Sequence, residues 1–168
     1  MPENTTLTSR LFDGIKFSSN GQNITFNSAI DNIIIRKCYW DGNLFTTNAQ
    51  LGSIYIDRCY AYLAYGWNNF KKLVVRNSIL RGTPSNTQNS ANQFFYNCNI
   101  YCNGGNWIGM DGRWTASFYG TFYNCILNSD DYYITYPNNS QAITVLINCL
   151  YNELKDYVAD GCTIQNCY

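Results

Sequence analysis

The 168-residue sequence contains no histidine. That removes Ser-His and Cys-His nucleophile pairs, imidazole acid–base chemistry and the commonest zinc ligand together. Charge is scarce as well: Asp, Glu, Lys and Arg make up 13% of the residues, against roughly 25% in ordinary globular chains. Eleven cations balance eleven anions, so the formal net charge is zero. A nucleic-acid binder would carry a basic excess, and near-zero charge favours association over a free monomer. No apolar run approaches the ~20 residues of a bilayer span, so no membrane insertion is expected. The opening residues Met1-Pro2-Glu3-Asn4-Thr5-Thr6 lack the basic and apolar regions of a secretion signal, which points to synthesis in a cytoplasm.

What the chain has instead is asparagine, with 24 copies, and aromatics at 17%, mostly Tyr. It also has eight cysteines, six of which follow a repeat rather than a disulfide framework. Ile33-Ile34-Ile35-Arg36-Lys37-Cys38 returns as Ile54-Tyr55-Ile56-Asp57-Arg58-Cys59 and as Leu73-Val74-Val75-Arg76-Asn77-Ser78. Further copies end at Cys98, Cys125, Cys149 and Cys167, and a weaker first copy, Ser9-Arg10-Leu11-Phe12-Asp13-Gly14, ends at Gly14. The anchors at 14, 38, 59, 78, 98, 125, 149 and 167 are separated by 24, 21, 19, 20, 27, 24 and 18 residues.

Helical repeats keep a stricter period and are rich in Ala, Leu and Glu, whereas this repeat is built from the strand formers Ile, Val, Phe, Tyr and Thr. Three positions before each anchor stand Leu11, Ile35, Ile56, Val75, Phe95, Phe122, Leu146 and Ile164. That column is apolar throughout, and the anchors are all Gly, Cys or Ser, so both columns are expected to face inward. A short strand, a sharp corner and a variable loop in about 20 residues describe one coil of a parallel β-helix. The corner column reads Asp13, Lys37, Arg58, Asn77, Asn97, Asn124, Asn148 and Asn166. Asn tolerates left-handed backbone geometry, and stacked Asn side chains form hydrogen-bonded ladders. Lys37 and Arg58 cannot ladder, so a different corner is expected in the first coils.

The repeated Asn-Cys or Asn-Ser corner after an alternating strand resembles the right-handed parallel β-helix superfamily, the pectate-lyase-like fold, over residues 9 to 168. The resemblance implies an all-β, single-domain chain of about seven to eight coils. Residues 1–10 are expected as an N-terminal cap or docking segment, and the rod is roughly 35–40 Å long at ~4.8 Å per coil. The superfamily spans lyases, hydrolases, tailspikes, adhesins and spacers, so the resemblance alone does not choose a function.

Cys38, Cys59, Cys98, Cys125, Cys149 and Cys167 share the inward column. A metal ladder or redox stack is one reading, and packing by a small buried residue is the other. The packing reading is preferred, because Ser78 and Gly14 occupy the same column and no Cys-x-x-Cys pair exists. Neighbouring Cβ atoms would also stand farther apart than the ~3.8 Å a disulfide wants. The thiols are therefore expected to be reduced, with no metal and no cofactor.

Chemistry on such a scaffold belongs to long loops. The two candidates are Cys102–Trp114 and Ser129–Tyr136, on adjacent coils. Asp111, Asp130 and Asp131 could serve as glycosidase carboxylates. A lyase would want calcium and a basic group, for which Arg113 is the nearby residue. Trp107, Trp114, Tyr132, Tyr133 and Tyr136 are the candidate sugar-stacking residues. Against this, Asp-Asp and Gly-Gly-Asn are ordinary turn formers, and aromatics also cover cores.

Four positions before the anchor come Arg10, Ile34, Tyr55, Val74, Phe94, Thr121, Val145 and Thr163, an outward column with five large apolar members. Tyr96, Tyr123 and Ile147 extend it. Such a stripe is normally covered by loops or by a partner. The last residues, Cys167-Tyr168, follow a corner directly with no polar closing helix. That favours either a longer rod or completion by a neighbouring subunit.

The preferred reading is a non-enzymatic structural and binding module inside a homo-oligomeric or multi-protein assembly. It is similar to the rods of phage tail fibres, tailspikes and capsid-associated proteins. A virion location, with host-surface glycans met by the aromatic loops, follows from that similarity; an extracellular location is the alternative. A polysaccharide lyase or glycoside hydrolase, and a scaffold domain of a longer intracellular protein, are the other readings.

Overall fold

Wherever the sequence alternates apolar and polar residues ahead of a corner, the chain is extended, and the apolar set points one way. The computed structural model describes residues 9–17, 24–26, 30–40, 45–47, 51–62, 70–81, 92–102, 120–129, 144–151 and 163–168. One sheet contains β1 (Ser9–Asp13), β4 (Ile30–Arg36), β7 (Leu51–Asp57), β9 (Phe70–Arg76), β11 (Gln93–Tyr96), β13 (Gly120–Tyr123), β15 (Thr144–Ile147) and β17 (Thr163–Gln165), in that spatial order. A second contains β2 (Lys16–Phe17), β5 (Tyr39–Trp40), β8 (Tyr60–Tyr62), β10 (Ile79–Arg81), β12 (Asn99–Cys102), β14 (Ile126–Ser129) and β16 (Leu150–Tyr151). A third pairs β3 (Ile24–Phe26) with β6 (Phe45–Thr47). Every pairing is parallel, and no α-helix occurs among the described residues. The protein is an all-β parallel solenoid.

Each turn crosses from the first sheet to the second through one left-handed residue. Lys37, Arg58, Asn77, Asn97, Asn124, Asn148 and Asn166 have φ between 51° and 53°, and Gly14 has φ 67°. Backbone hydrogen bonds continue through the corner: the Asn97 N–H donates to the Tyr123 carbonyl at 3.0 Å, and the Ile126 N–H to the Cys98 carbonyl at 2.9 Å. The corner therefore keeps these main-chain donors paired.

Two sequence expectations change here. Phe12, not Leu11, pairs with Ile35, so the first copy is shifted by one residue. Glycine takes the left-handed corner, Ile15 stands at the anchor position, and Leu11 faces out at 56% exposure. Lys37 and Arg58 adopt the same backbone corner as the asparagines, so only the side-chain network differs in the early turns.

The interior is built of columns. Ile35, Ile56, Val75, Phe95, Phe122 and Leu146 are fully buried in one, with the Phe95 and Phe122 rings stacked at 4.6 Å. Beside them runs Ile33, Ile54, Leu73, Gln93, Gly120 and Thr144, so the bulky phenylalanines face the slimmer end of the neighbouring column. Trp40 is buried next to Ala61, a large residue stacked on a small one, and its indole N–H donates to the Tyr62 carbonyl at 3.0 Å. Such compensation fills a stacked core without strain.

At Gly120 a close approach is combined with a left-handed backbone. Its φ is +124°, and a Cβ there would sit 2.8 Å from the Gln93 carbonyl oxygen and 2.9 Å from the Gln93 Cβ. Gly120→Ala is expected to lower unfolding free energy by at least ~1–3 kcal/mol through overpacking and backbone strain. Denaturant melts of the two proteins check this, and equal midpoints would contradict it.

Candidate functional site

The loop residues singled out for chemistry, Trp107, Asp111, Arg113, Trp114, Asp130, Asp131, Tyr132, Tyr133 and Tyr136, all lie outside the described residues. Three features within the described residues are organised enough to act: the corner ladder, the outer rows and the interior thiol row.

At the corner, exposed asparagine side chains form a directional chain. Nδ2 of Asn166 donates to Oδ1 of Asn148 at 3.2 Å, Asn148 to Asn124 at 3.3 Å, Asn124 to Asn97 at 3.2 Å, and Asn97 to Asn77 at 3.3 Å. Asn77 then donates to Oδ1 of Asp57 at 3.1 Å. All amides point the same way, so their dipoles add, and the chain ends on a carboxylate able to accept without donating. Arg58 Nε meets the other Asp57 oxygen at 2.7 Å. One turn earlier, Arg36 Nη2 reaches Asp13 at 2.8 Å. Charge pairs thus take over where Lys37 and Arg58 interrupt the asparagines.

Partial burial pulls the Asp57 carboxyl upward, but the hydrogen bonds from Asn77 and Arg58 outweigh it and leave it below the ordinary carboxylate range. The hydrogen bond from Arg36 likewise lowers Asp13.

On the outer face of the first sheet the row runs Leu11, Ile34, Tyr55, Val74, Phe94, Thr121 and Val145, with Leu11 where Arg10 was expected. Leu11, Ile34 and Tyr55 are exposed. Val74, between the larger Tyr55 and Phe94, is buried. In the adjoining column the Arg76 guanidinium lies 5.4 Å from the Tyr96 ring centroid, and Tyr96 stacks on Tyr123 at 5.1 Å.

The second sheet carries an outer row not anticipated above: Tyr39, Tyr60, Ile79, Asn99, Ile126 and Leu150. Tyr39 stacks on Tyr60 at 4.9 Å under Lys16. Ile79, Ile126 and Leu150 are 52%, 46% and 54% exposed. The signal was available, since this row is the residue directly after each anchor.

Inside the corner, Cys38, Cys59, Cys98, Cys125 and Cys149 are buried, Cys167 is half-buried, and all six are free. Each thiol donates to the carbonyl two residues earlier, for example Cys98 to Tyr96 at 3.3 Å and Cys149 to Ile147 at 3.4 Å. Ser78 does the same at 2.6 Å. Burial pushes Cys59 up to about 11. Interaction with the neighbouring Cys149 and Cys98 thiols, together with burial, pushes Cys125 up, and the same interaction lowers its two neighbours. Among the described residues no three His, Cys, Asp or Glu side chains converge as a metal-binding group. No helix among them is long and apolar enough to cross a membrane.

The chain matches no protein-family model, no curated protein and no solved structure.

Two outcomes follow from the ladder. Asn124→Gly and Asn124→Ala both lose two ladder bonds, but only alanine carries a side chain into the left-handed corner, so the alanine variant is expected to be less stable by ~1 kcal/mol. This reverses the usual order, in which Gly costs ~0.5–1 kcal/mol more than Ala, and urea midpoints of the pair decide it. Because the Asp57 carboxyl is lowered in the folded chain, its contribution is present above the unfolded carboxylate value and disappears as pH falls through the folded one. Thermal melts between neutral and strongly acid pH should show native protein losing more stability than Asp57→Asn, by under about 1 kcal/mol for so exposed a group. Parallel acid profiles would remove Asp57 as the terminus of the ladder.

Proposed function

We propose that this chain is a non-enzymatic structural module, a right-handed parallel β-helix of seven to eight coils in the pectate-lyase-like manner, built into a larger assembly. The eight-stranded and seven-stranded parallel sheets support that coil number. The observation that carries the functional reading is the pair of apolar outer rows. Ile79, Ile126 and Leu150 project from one sheet face, with Asn99 between the first two, and Leu11, Ile34 and Tyr55 project on successive turns from the other. Scattered exposed hydrophobics are ordinary, but exposed apolar residues aligned along a sheet face form patches of the kind that partners cover. Zero net charge and a 13% charged fraction offer little repulsion between copies.

The partner expected is a second copy of the chain or another component of the same particle, with a virion rod of the phage-tail or capsid-associated type as the setting. Contact with host-surface glycans falls, in this reading, to the aromatic residues of 106–114 and 130–136.

The test is the mass in solution of native chain and of Ile79→Lys/Ile126→Lys, by light scattering after size exclusion. Both side chains are exposed, so the charges should leave folding within ~0.5 kcal/mol per site. Native protein is expected as a defined oligomer and the double variant as a folded monomer. A native chain that is monomeric at every accessible concentration, or an oligomer indifferent to the two lysines, contradicts self-assembly through this row.

A further inference from the structure

We propose that the interior cysteine row binds soft monovalent d10 ions, Cu(I) or Ag(I), each held linearly between the thiolates of two successive turns. The geometry starts from the parallel register. Equivalent side chains on neighbouring strands repeat every ~4.8 Å and point the same way. Taking the zinc–thiolate length of about 2.3 Å as the scale of a metal–thiolate bond, two such bonds in line place their sulfurs about 4.6 Å apart, close to that repeat. A disulfide would need its Cβ atoms near ~3.8 Å, about an ångström closer than the strands stand. Tetrahedral zinc needs four ligands around one point, and a straight row offers an ion only the sulfurs above and below it. Thiolate softness then selects Cu(I)-like ions over harder cations.

Main-chain donors already point at the sulfurs. The Cys38 N–H reaches Cys59 Sγ at 3.4 Å, and the Cys149 N–H reaches Cys167 Sγ at 3.3 Å. Donors of this kind stabilise a thiolate and offset the charge left by a bis-thiolate ion.

Losing the thiol protons orphans no acceptor. The carbonyls to which the thiols donate, such as those of Arg36, Tyr96, Tyr123 and Ile147, each also accept a backbone N–H at 3.0 Å, from Gly14, Asn77, Asn97 and Asn124 respectively. Binding is M⁺ + 2 RSH → [M(SR)₂]⁻ + 2 H⁺, so uptake weakens as pH falls.

Ser78 interrupts the row between Cys59 and Cys98, where the Cys59 N–H meets its hydroxyl at 3.1 Å. It leaves a pair, Cys38 and Cys59, and a block of four, Cys98 to Cys167. One ion per pair of neighbours gives three per chain, one in the first segment and two in the second.

The experiment titrates fully reduced, full-length protein under argon with Ag(I) or with Cu(I) supplied as its acetonitrile complex. Native mass spectrometry counts the ions, and X-ray absorption gives the metal's neighbours. Three ions, each with two sulfurs and no third ligand, are expected. Cys125→Ser, a replacement the column already accommodates at Ser78, should lower the count from three to two, and Cys38→Ser should do the same. Cys102→Ser and Cys162→Ser should leave it at three. No uptake, a three- or four-ligand shell, or a count that responds only to Cys102 and Cys162 would overturn the proposal. The shell of the unsubstituted protein decides the matter even where a serine variant fails to fold.

Discussion

One backbone constraint organises this molecule: each turn must contain a residue at φ near +50° that lets the chain leave one parallel sheet and enter the next. Left-handed geometry costs a side-chain-bearing residue roughly 1–2 kcal/mol. Asparagine offsets part of that through its amide, which finds the equivalent amide on the adjacent turn. The residues on either side of the corner then alternate by period two. The one after it turns in, which is why Cys and Ser line the interior, and the one after that turns out, which creates the row from Tyr39 to Leu150. Corner, core and outer surface are consequences of one repeated dihedral angle.

The fold was largely legible in the amino-acid order because three independent columns agree: an apolar one, a small one and an asparagine one. It slipped where they disagree. In Ser9–Gly14 two consecutive residues, Leu11 and Phe12, are both apolar, and glycine suits either the small column or the left-handed corner. A one-residue shift exchanges faces, and only pairing with β4 resolves it. Lys37 and Arg58 misled for a different reason. Their side chains cannot ladder, yet left-handed geometry is a property of the backbone, and neighbouring turns impose it.

Of the surface features, the row in the first sheet was readable from the strand pattern. The row in the second sheet is harder to read because the strands beyond the anchor are only two to four residues long. The loops around Asp111 and Asp130 carry no repeat at all, so composition was the sole guide to them. A stacked scaffold spends its regularity on rows of equivalent side chains, and such rows are suited to docking a partner lengthwise outside or aligning soft ligands inside.

The most direct test of the account is the pairing of strands in solution by through-space NMR contacts. Parallel winding predicts in-register backbone contacts from Val74 to Phe94, Phe94 to Thr121 and Thr121 to Val145, each spanning one turn of chain. Hairpin contacts between β11 and β12, the antiparallel partners that sequence neighbours would make, would contradict it.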